Sequence, residues 1–223
     1  MSPTTHGALL HGGSLSGAEA NALRPPEPAE RDVLGMWLFL ATEALFFGVL
    51  FFAYALARIH FGAAFPAASR HTNVLLGTAN TAVLLTSSFT MALAARATAL
   101  ADTRAARRLL LATAALGMVF LLVKGGEYVL DFREHLVPGA SFAFNGALAR
   151  GAAYFFGFYF VSTGLHAVHL VIGIVLVLAM AIRLGHHGAR AHASAVEVTG
   201  LYWHFVDIVW VFLYPSLYLM GRA

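Results

Sequence analysis

Five long apolar runs, separated by short polar stretches, set the rhythm of this chain. A membrane-spanning helix needs about 20 mostly apolar residues, and the runs at 33–57, 73–95, 107–130, 151–183 and 197–220 meet that length. The fourth is longer than a bilayer requires, which predicts a helix that tilts or protrudes. Residues 1–32 are polar, contain Gly and Ser, and close on "RPPEPAERD". They predict a partly disordered leader, its prolines marking the approach to the membrane. Residues 33–223 are expected to form one all-α domain, a polytopic membrane bundle of five transmembrane helices. No internal repeat is visible. The opening residues do not read as a secretory signal, and the first apolar run is too long for the core of one.

Composition agrees with the pattern. Hydrophobic residues make up 59% of the chain and charged residues 11%, against roughly 25% charged in a soluble domain. The sequence pI is near 9.5, but the arginines fall between the apolar runs and Lys124 is the sole lysine. Membrane topology explains that balance better than a nucleic-acid partner. With the N-terminus inside, the inner segments hold Arg24, Arg31, Arg96, Arg104, Arg107, Arg108, Arg183 and Arg190. The outer segments hold Arg58, Arg70, Arg133, Arg150 and Arg222. The excess, led by "RATALADTRAARR", predicts an N-in, C-out orientation. The chain has no cysteine, which removes disulfides, iron–sulfur clusters and thiolate copper sites from its repertoire.

Polar groups recur at mid-membrane depth. Glu43 sits near the centre of the first run, Asn80-Thr81 and Thr86-Ser87-Ser88 in the second, His166 and His169 in the fourth, His204 and Asp207 in the fifth. A charged side chain at that depth costs at least ~2.5–3.5 kcal/mol on insertion scales, so these groups are expected to face inward and bond to one another. His204 and Asp207 stand three apart, as do His166 and His169, which places each pair on one helical face. Gly164, Ala167 and Gly173 beside the second pair permit close helix approach. The third run differs, with Lys124, Glu127, Tyr128 and Asp131 along one face near its end. Lys124 is expected to pair with Glu127 or Asp131, or to snorkel toward lipid phosphate.

Each signal has a bland reading beside the sharp one. His204 and Asp207 read as a packing pair, or as a proton relay or metal or haem ligands. The H-x-x-H spacing could bind metal, but such sites need further ligands around one point. Glu43 reads first as a hydrogen-bonded structural acid, and the Thr-Ser-Ser run as hydroxyls bonded back to their own helix. No phosphate-binding loop, nucleophile triad or dinucleotide fingerprint is present.

Taken together, "GMWLFLATEALFF", "ANTAVLLTSS", "KGGEY", "FVSTGLHAVHLVIG" and "LYWHFVDIVWVFLYPSLY" resemble subunit III of the haem–copper terminal oxidases, most closely the cytochrome c oxidase type. The likeness runs from Asp32 to Gly221 in the five-span form of that family. It implies an accessory subunit with no haem or metal of its own, in an aa3-type complex where cytochrome c feeds electrons to oxygen with proton pumping. Haem and copper are then expected in partner subunits I and II, with subunit I in direct contact and no nucleic-acid partner. The resemblance further implies a bacterial-type cytoplasmic membrane, stabilisation of the catalytic subunit, and support of proton uptake and oxygen access. Glu43 takes the position of the family's membrane-embedded glutamate. A buried polar network of Glu43, Asn80, His166, His169, His204 and Asp207 is expected, with His204 and Asp207 holding the fifth helix against the fourth and the first. Trp37, Glu43, Lys124, Arg150, His166 and His169 are the candidates near the family's phospholipid-filled cleft. Subunit III of a quinol oxidase and the accessory protein of nitric oxide reductase are close alternatives. A b-type cytochrome using His204 with His166 or His169 and a transporter are more distant ones.

Overall fold

The computed structural model describes residues 28–139 and 142–222, so that the expected leader lies outside the described residues as far as residue 27. Among the described residues every regular element is helical. Helix α1 spans Pro28–Phe61, α2 Ala64–Ser69, α3 Val74–Ala99, α4 Thr103–Arg133, α5 Ala149–His187 and α6 Ala193–Tyr214. Five stretches are long and apolar enough to cross a membrane: Arg31–Phe61, Val74–Ala99, Thr103–Arg133, Gly146–His186 and Ala193–Leu219. The five-span, all-α expectation holds, and each helix overruns its apolar core.

Local chemistry explains the overruns. The Asn73 side chain accepts a hydrogen bond from the Leu76 N–H (3.2 Å) and the Asp102 side chain from the Ala105 N–H (3.0 Å), so that both caps sit in polar sequence ahead of the apolar runs. At the far end of α5, Gly188 takes φ +80°, a left-handed conformation open to glycine at little cost, and stops the helix. The 39 residues of α5 give roughly 58 Å of helix at 1.5 Å per residue, nearly twice the ~30 Å hydrocarbon core. Pro215 lacks an N–H, and the chain after α6 widens there into a π-helical turn, Pro215–Leu219. The Ser216 carbonyl in that turn accepts the Tyr54 hydroxyl of α1.

Helices α3, α4, α5 and α6 form a closed bundle, while α1 leans on α6 and α5 from outside. Only 11% of the most apolar stretch of α1 is buried, against 56% in α6. The bundle core holds Leu84, Met91, Leu110, Phe120, Phe155, Tyr159, Leu170, Trp203 and Trp210. Two glycines let the helices close around Trp203: a methyl at Gly117 would lie 2.8 Å from its indole, and one at Gly173 3.1 Å. At one end, α2 plugs the bundle with Phe65 and Ala68, both fully enclosed. The Ser69 hydroxyl donates to the Leu217 carbonyl (2.9 Å), and Arg70 Nε to the Gly221 carbonyl (2.9 Å), which ties the C-terminal turn to the α2–α3 connection. These contacts gather at the α2 end of the bundle.

Candidate functional site: two ionisable clusters and two membrane-facing grooves

Lys124 lies on the inner face of α4 near the α2 end, 2% exposed. Its Nζ donates to Glu127 Oε2 at 3.0 Å, to the Tyr159 hydroxyl of α5 at 2.9 Å, and to the Tyr218 hydroxyl of the π turn. An ammonium has three protons, and all are committed. The phenols pass the polarity on: Tyr159 donates to Asp131 Oδ2 (2.8 Å) and Tyr218 to Glu127 Oε2 (3.0 Å). The Tyr159 ring centroid stands 4.3 Å from Nζ, adding a cation–π contact. The partner chosen is Glu127; Asp131 is reached only through Tyr159. Lys124 does not snorkel, because three protein acceptors already surround it.

A second ionisable pair joins α1 to α5. Glu43 Oε2 stands 3.1 Å from His169 Nε2, and His169 Nδ1 bonds the Leu165 carbonyl at 2.9 Å. With Nδ1–H donating to a carbonyl, the contact to Glu43 needs one more proton, shared between Oε2 and Nε2. The Tyr202 hydroxyl of α6 donates to the His169 carbonyl (3.0 Å), and Phe47 sets a ring edge against the imidazole. Both members of the pair keep some exposure.

The remaining polar residues at this depth go their own ways. His204 Nδ1 bonds the Ser88 hydroxyl of α3 at 2.8 Å. Asp207 lies beside Ser88, 4% exposed, with neither oxygen in a well-formed hydrogen bond. The one hydrogen bond of this pair, from His204, therefore joins α6 to α3, where the sequence suggested bonds to α5 and α1. The cause is the hydroxyl run of α3, which offers α6 its partners. Trp203 Nε1 donates to Ser87 Oγ (3.2 Å) and Trp210 Nε1 to Thr81 Oγ1 (3.0 Å). The Thr86 hydroxyl does bond back, to the Ala82 carbonyl at 2.8 Å. The sequence signal for these indole donors is the seven-residue, two-turn spacing of Trp203 and Trp210, which puts both on one face of α6. Asn80 Nδ2 reaches the Phe120 carbonyl at 3.5 Å. His166 sits between the Phe120 and Trp210 rings, centroids 5.5 and 5.1 Å away, and neither ring nitrogen has a partner. Of the six residues expected in one network, Glu43 and His169 bond each other, while Asn80, His166, His204 and Asp207 make no hydrogen bond to another of the six.

Two grooves flank α1. One, about 390 Å³, runs between α1 and α5, with apolar walls that include Leu50, Phe158 and Val161, and Arg150 among its lining residues. The other, about 360 Å³, runs between α1 and α6, where Trp37 and Leu40 face Phe205 and His204. Of the lipid candidates, Trp37 and Arg150 line grooves and Glu43 and His169 bridge the helices between them. Lys124 and His166 are enclosed by protein. Among the described residues no group of three or more His, Cys, Asp or Glu is placed to hold a metal ion. His166, His169 and His204 turn to three different surroundings: the Phe120 and Trp210 rings, Glu43, and Ser88.

The chain matches the family model described as "Cytochrome c oxidase subunit III" over residues 29–222. It is 36% identical to a cytochrome c oxidase subunit 3 of Thermostichus vulcanus over 194 residues, 85% of this chain and 88% of that one. A cytochrome c oxidase subunit 3 of Paracentrotus lividus is 31% identical, over 94% of this chain and 74% of its own length. A quinol oxidase subunit 3 of Bacillus spizizenii is 29% identical, over 87% of this chain and 90% of its own.

Proposed function

The chain belongs to the cytochrome c oxidase subunit III family, and on that premise we propose that it is the accessory subunit of an aa3-type cytochrome c oxidase. In this reading it is an integral membrane subunit of a haem–copper oxidase that carries no redox centre. It lies against subunit I, with subunit II in the same complex and cytochrome c as the electron donor. Its work is to stabilise the catalytic subunit and to support proton uptake and oxygen access. The membrane is the bacterial-type cytoplasmic one, entered N-in and C-out, a reading supported by the four arginines Arg96, Arg104, Arg107 and Arg108 around the α3–α4 turn.

The observation that carries the proposal is the stance of α1. Trp37, Leu38, Leu45, Val49 and Phe52 are half or more exposed along it, and one ionisable pair, Glu43–His169, ties it to α5. A helix with so little burial in its own chain is suited to contact a partner or lipid on its remaining faces. The α1–α5 groove, with apolar walls and the Arg150 guanidinium, suits a phospholipid: acyl chain along Leu50 and Phe158, phosphate at Arg150.

Affinity purification of the tagged chain in mild detergent, with mass spectrometry of what co-purifies, tests this directly. Recovery of a large haem–copper subunit I and a copper-bearing subunit II is the expected result; a chain that emerges alone would overturn it. A second reading, a quinol oxidase subunit, is favoured by the comparable identity to the Bacillus protein. A subunit II without copper ligands would select it.

A further inference from the structure

The groove between α1 and α6 holds a polar atom that the chain's own contacts leave unused. His204 and the Trp37 indole are the polar groups in a wall otherwise made of Leu, Ala, Ile and Phe. His204 Nδ1 is turned to Ser88 on α3. The two nitrogens of an imidazole point to roughly opposite sides of the ring, so Nε2 points away from α3, on the side where His204 lines the groove. Among the described residues Nε2 makes no hydrogen bond, and it is not enclosed: the buried, unpartnered ring nitrogens are those of His166. The groove itself follows from side-chain size. α1 touches α6 where Phe47 meets Phe205, ring centroids 6.3 Å apart, and on its neighbouring face it presents only Ala41 and Ala44 to the groove around His204 and Ile208.

Depth narrows what the groove takes. At 1.5 Å per residue, His204 stands roughly 17 Å from one end of the Ala193–Leu219 stretch and roughly 22 Å from the other, close to the middle of a ~30 Å hydrocarbon core. A phosphate, a quaternary ammonium or an ionised carboxylate is costly at that depth. The ligand that reaches Nε2 is therefore uncharged and dissolved in hydrocarbon.

The wall narrows it further. The Ser88 hydroxyl both donates and accepts. When it donates to Nδ1, Nε2 carries the proton and offers it to a carbonyl; when it accepts from Nδ1, Nε2 offers a lone pair to a hydroxyl. The indole of Trp37, 56% exposed, and the ring of Phe205 give the groove flat faces for stacking. Its volume of about 360 Å³ falls in the ~300–1,000 Å³ range of small-molecule sites. A flat, uncharged ring that bears oxygens and an apolar tail meets each of these conditions. We propose that the α1–α6 groove binds the ring of an isoprenoid quinone or of its quinol, with one ring oxygen hydrogen-bonded to His204 Nε2. The site binds without a redox step, and it does not depend on which donor feeds the complex.

The test is titration of the full chain, delipidated in mild detergent, with ubiquinone-2 and with geranylbenzene, which carries the same tail on a ring without oxygens. Native mass spectrometry reads the occupancy. Quenching of tryptophan fluorescence reads the place, since Trp37 lines the groove while Trp203 and Trp210 lie in the core. Ubiquinone-2 is expected to bind about tenfold more tightly, the scale of one hydrogen bond. His204→Phe should remove that difference. Ala44→Leu, at an exposed position of α1, should fill the groove and abolish binding without touching the His204–Ser88 contact, which keeps the test decisive if His204→Phe fails to fold. Equal binding of the two compounds, quinone binding that survives Ala44→Leu, or displacement of the quinone by phosphatidylglycerol would each overturn the proposal.

Discussion

Two ionisable contacts among the described residues are built on opposite plans. In Lys124–Glu127 the side chains are 3% and 1% exposed, three elements contribute, and two tyrosines carry the bonds onward. In His169–Glu43 the side chains are 15% and 20% exposed, and a single bond crosses from α5 to α1. The difference shows how charge is tolerated in an apolar bundle. Deep in the core an ammonium persists only with every proton placed, because no water or headgroup substitutes for a missing acceptor. At the edge, one shared proton suffices to dock a helix that remains mostly surrounded by lipid or partner. The bundle end at Lys124 is a fixed point; α1 is an attachment.

Breaking the fixed point should have the largest effect. Lys124→Ala strands Glu127 and Asp131 in the core, at a cost of about 3–5 kcal/mol, and should sharply reduce the yield of folded chain. Lys124→Met with Glu127→Gln should recover part of that loss; thermal unfolding in detergent reads both, and a single variant as stable as the parent would refute the charge argument. Next comes Gly117→Val, which drives a side chain into the Trp203 indole. Overpacking of this kind costs about 1–3 kcal/mol, visible as a lowered melting temperature while the α1 contact stays intact.

The attachment should be softer. Glu43→Ala removes its hydrogen bond, worth about 1 kcal/mol in a membrane setting, and should raise hydrogen exchange in α1 but not in α3–α6. Glu43→Gln retains an N–H for His169 Nε2, so it should leave both exchange and steady-state oxygen reduction of the complex near the parent values. Loss of turnover in a fully assembled Glu43→Gln complex would instead mark the acid as an obligatory proton carrier. Smallest of all should be Thr78→Val, which removes the bond of Thr78 to the Tyr214 hydroxyl on an exposed face. Within the ~0.6 kcal/mol average for such bonds, its melting temperature should hardly move.

Much of the molecule was legible in the chain. The five spans follow from run length alone, since the bilayer imposes about 20 apolar residues whatever the tertiary partners. Lys124 with Glu127 was also readable, because three residues along a helix fix a neighbour. The polar belt was legible as a set of residues but not as a set of contacts. Equal depth places Glu43, Asn80, His166, His169, His204 and Asp207 in one layer, yet rotation of each helix about its axis decides which of them meet. Helical spacing constrains that rotation only within a single helix.

Sequence by itself thus determined the helices, their number and the depth of their polar groups, all quantities set by local periodicity and by the thickness of the solvent. Tertiary structure alone decided that Lys124 would meet Tyr159, 35 residues away, and Tyr218, 94 residues away. It also decided that His204 would turn to Ser88 and Glu43 to His169. Those choices rest on where glycines such as Gly117 and Gly173 let helices close on a tryptophan, because close packing between helices fixes the rotation that no single helix specifies.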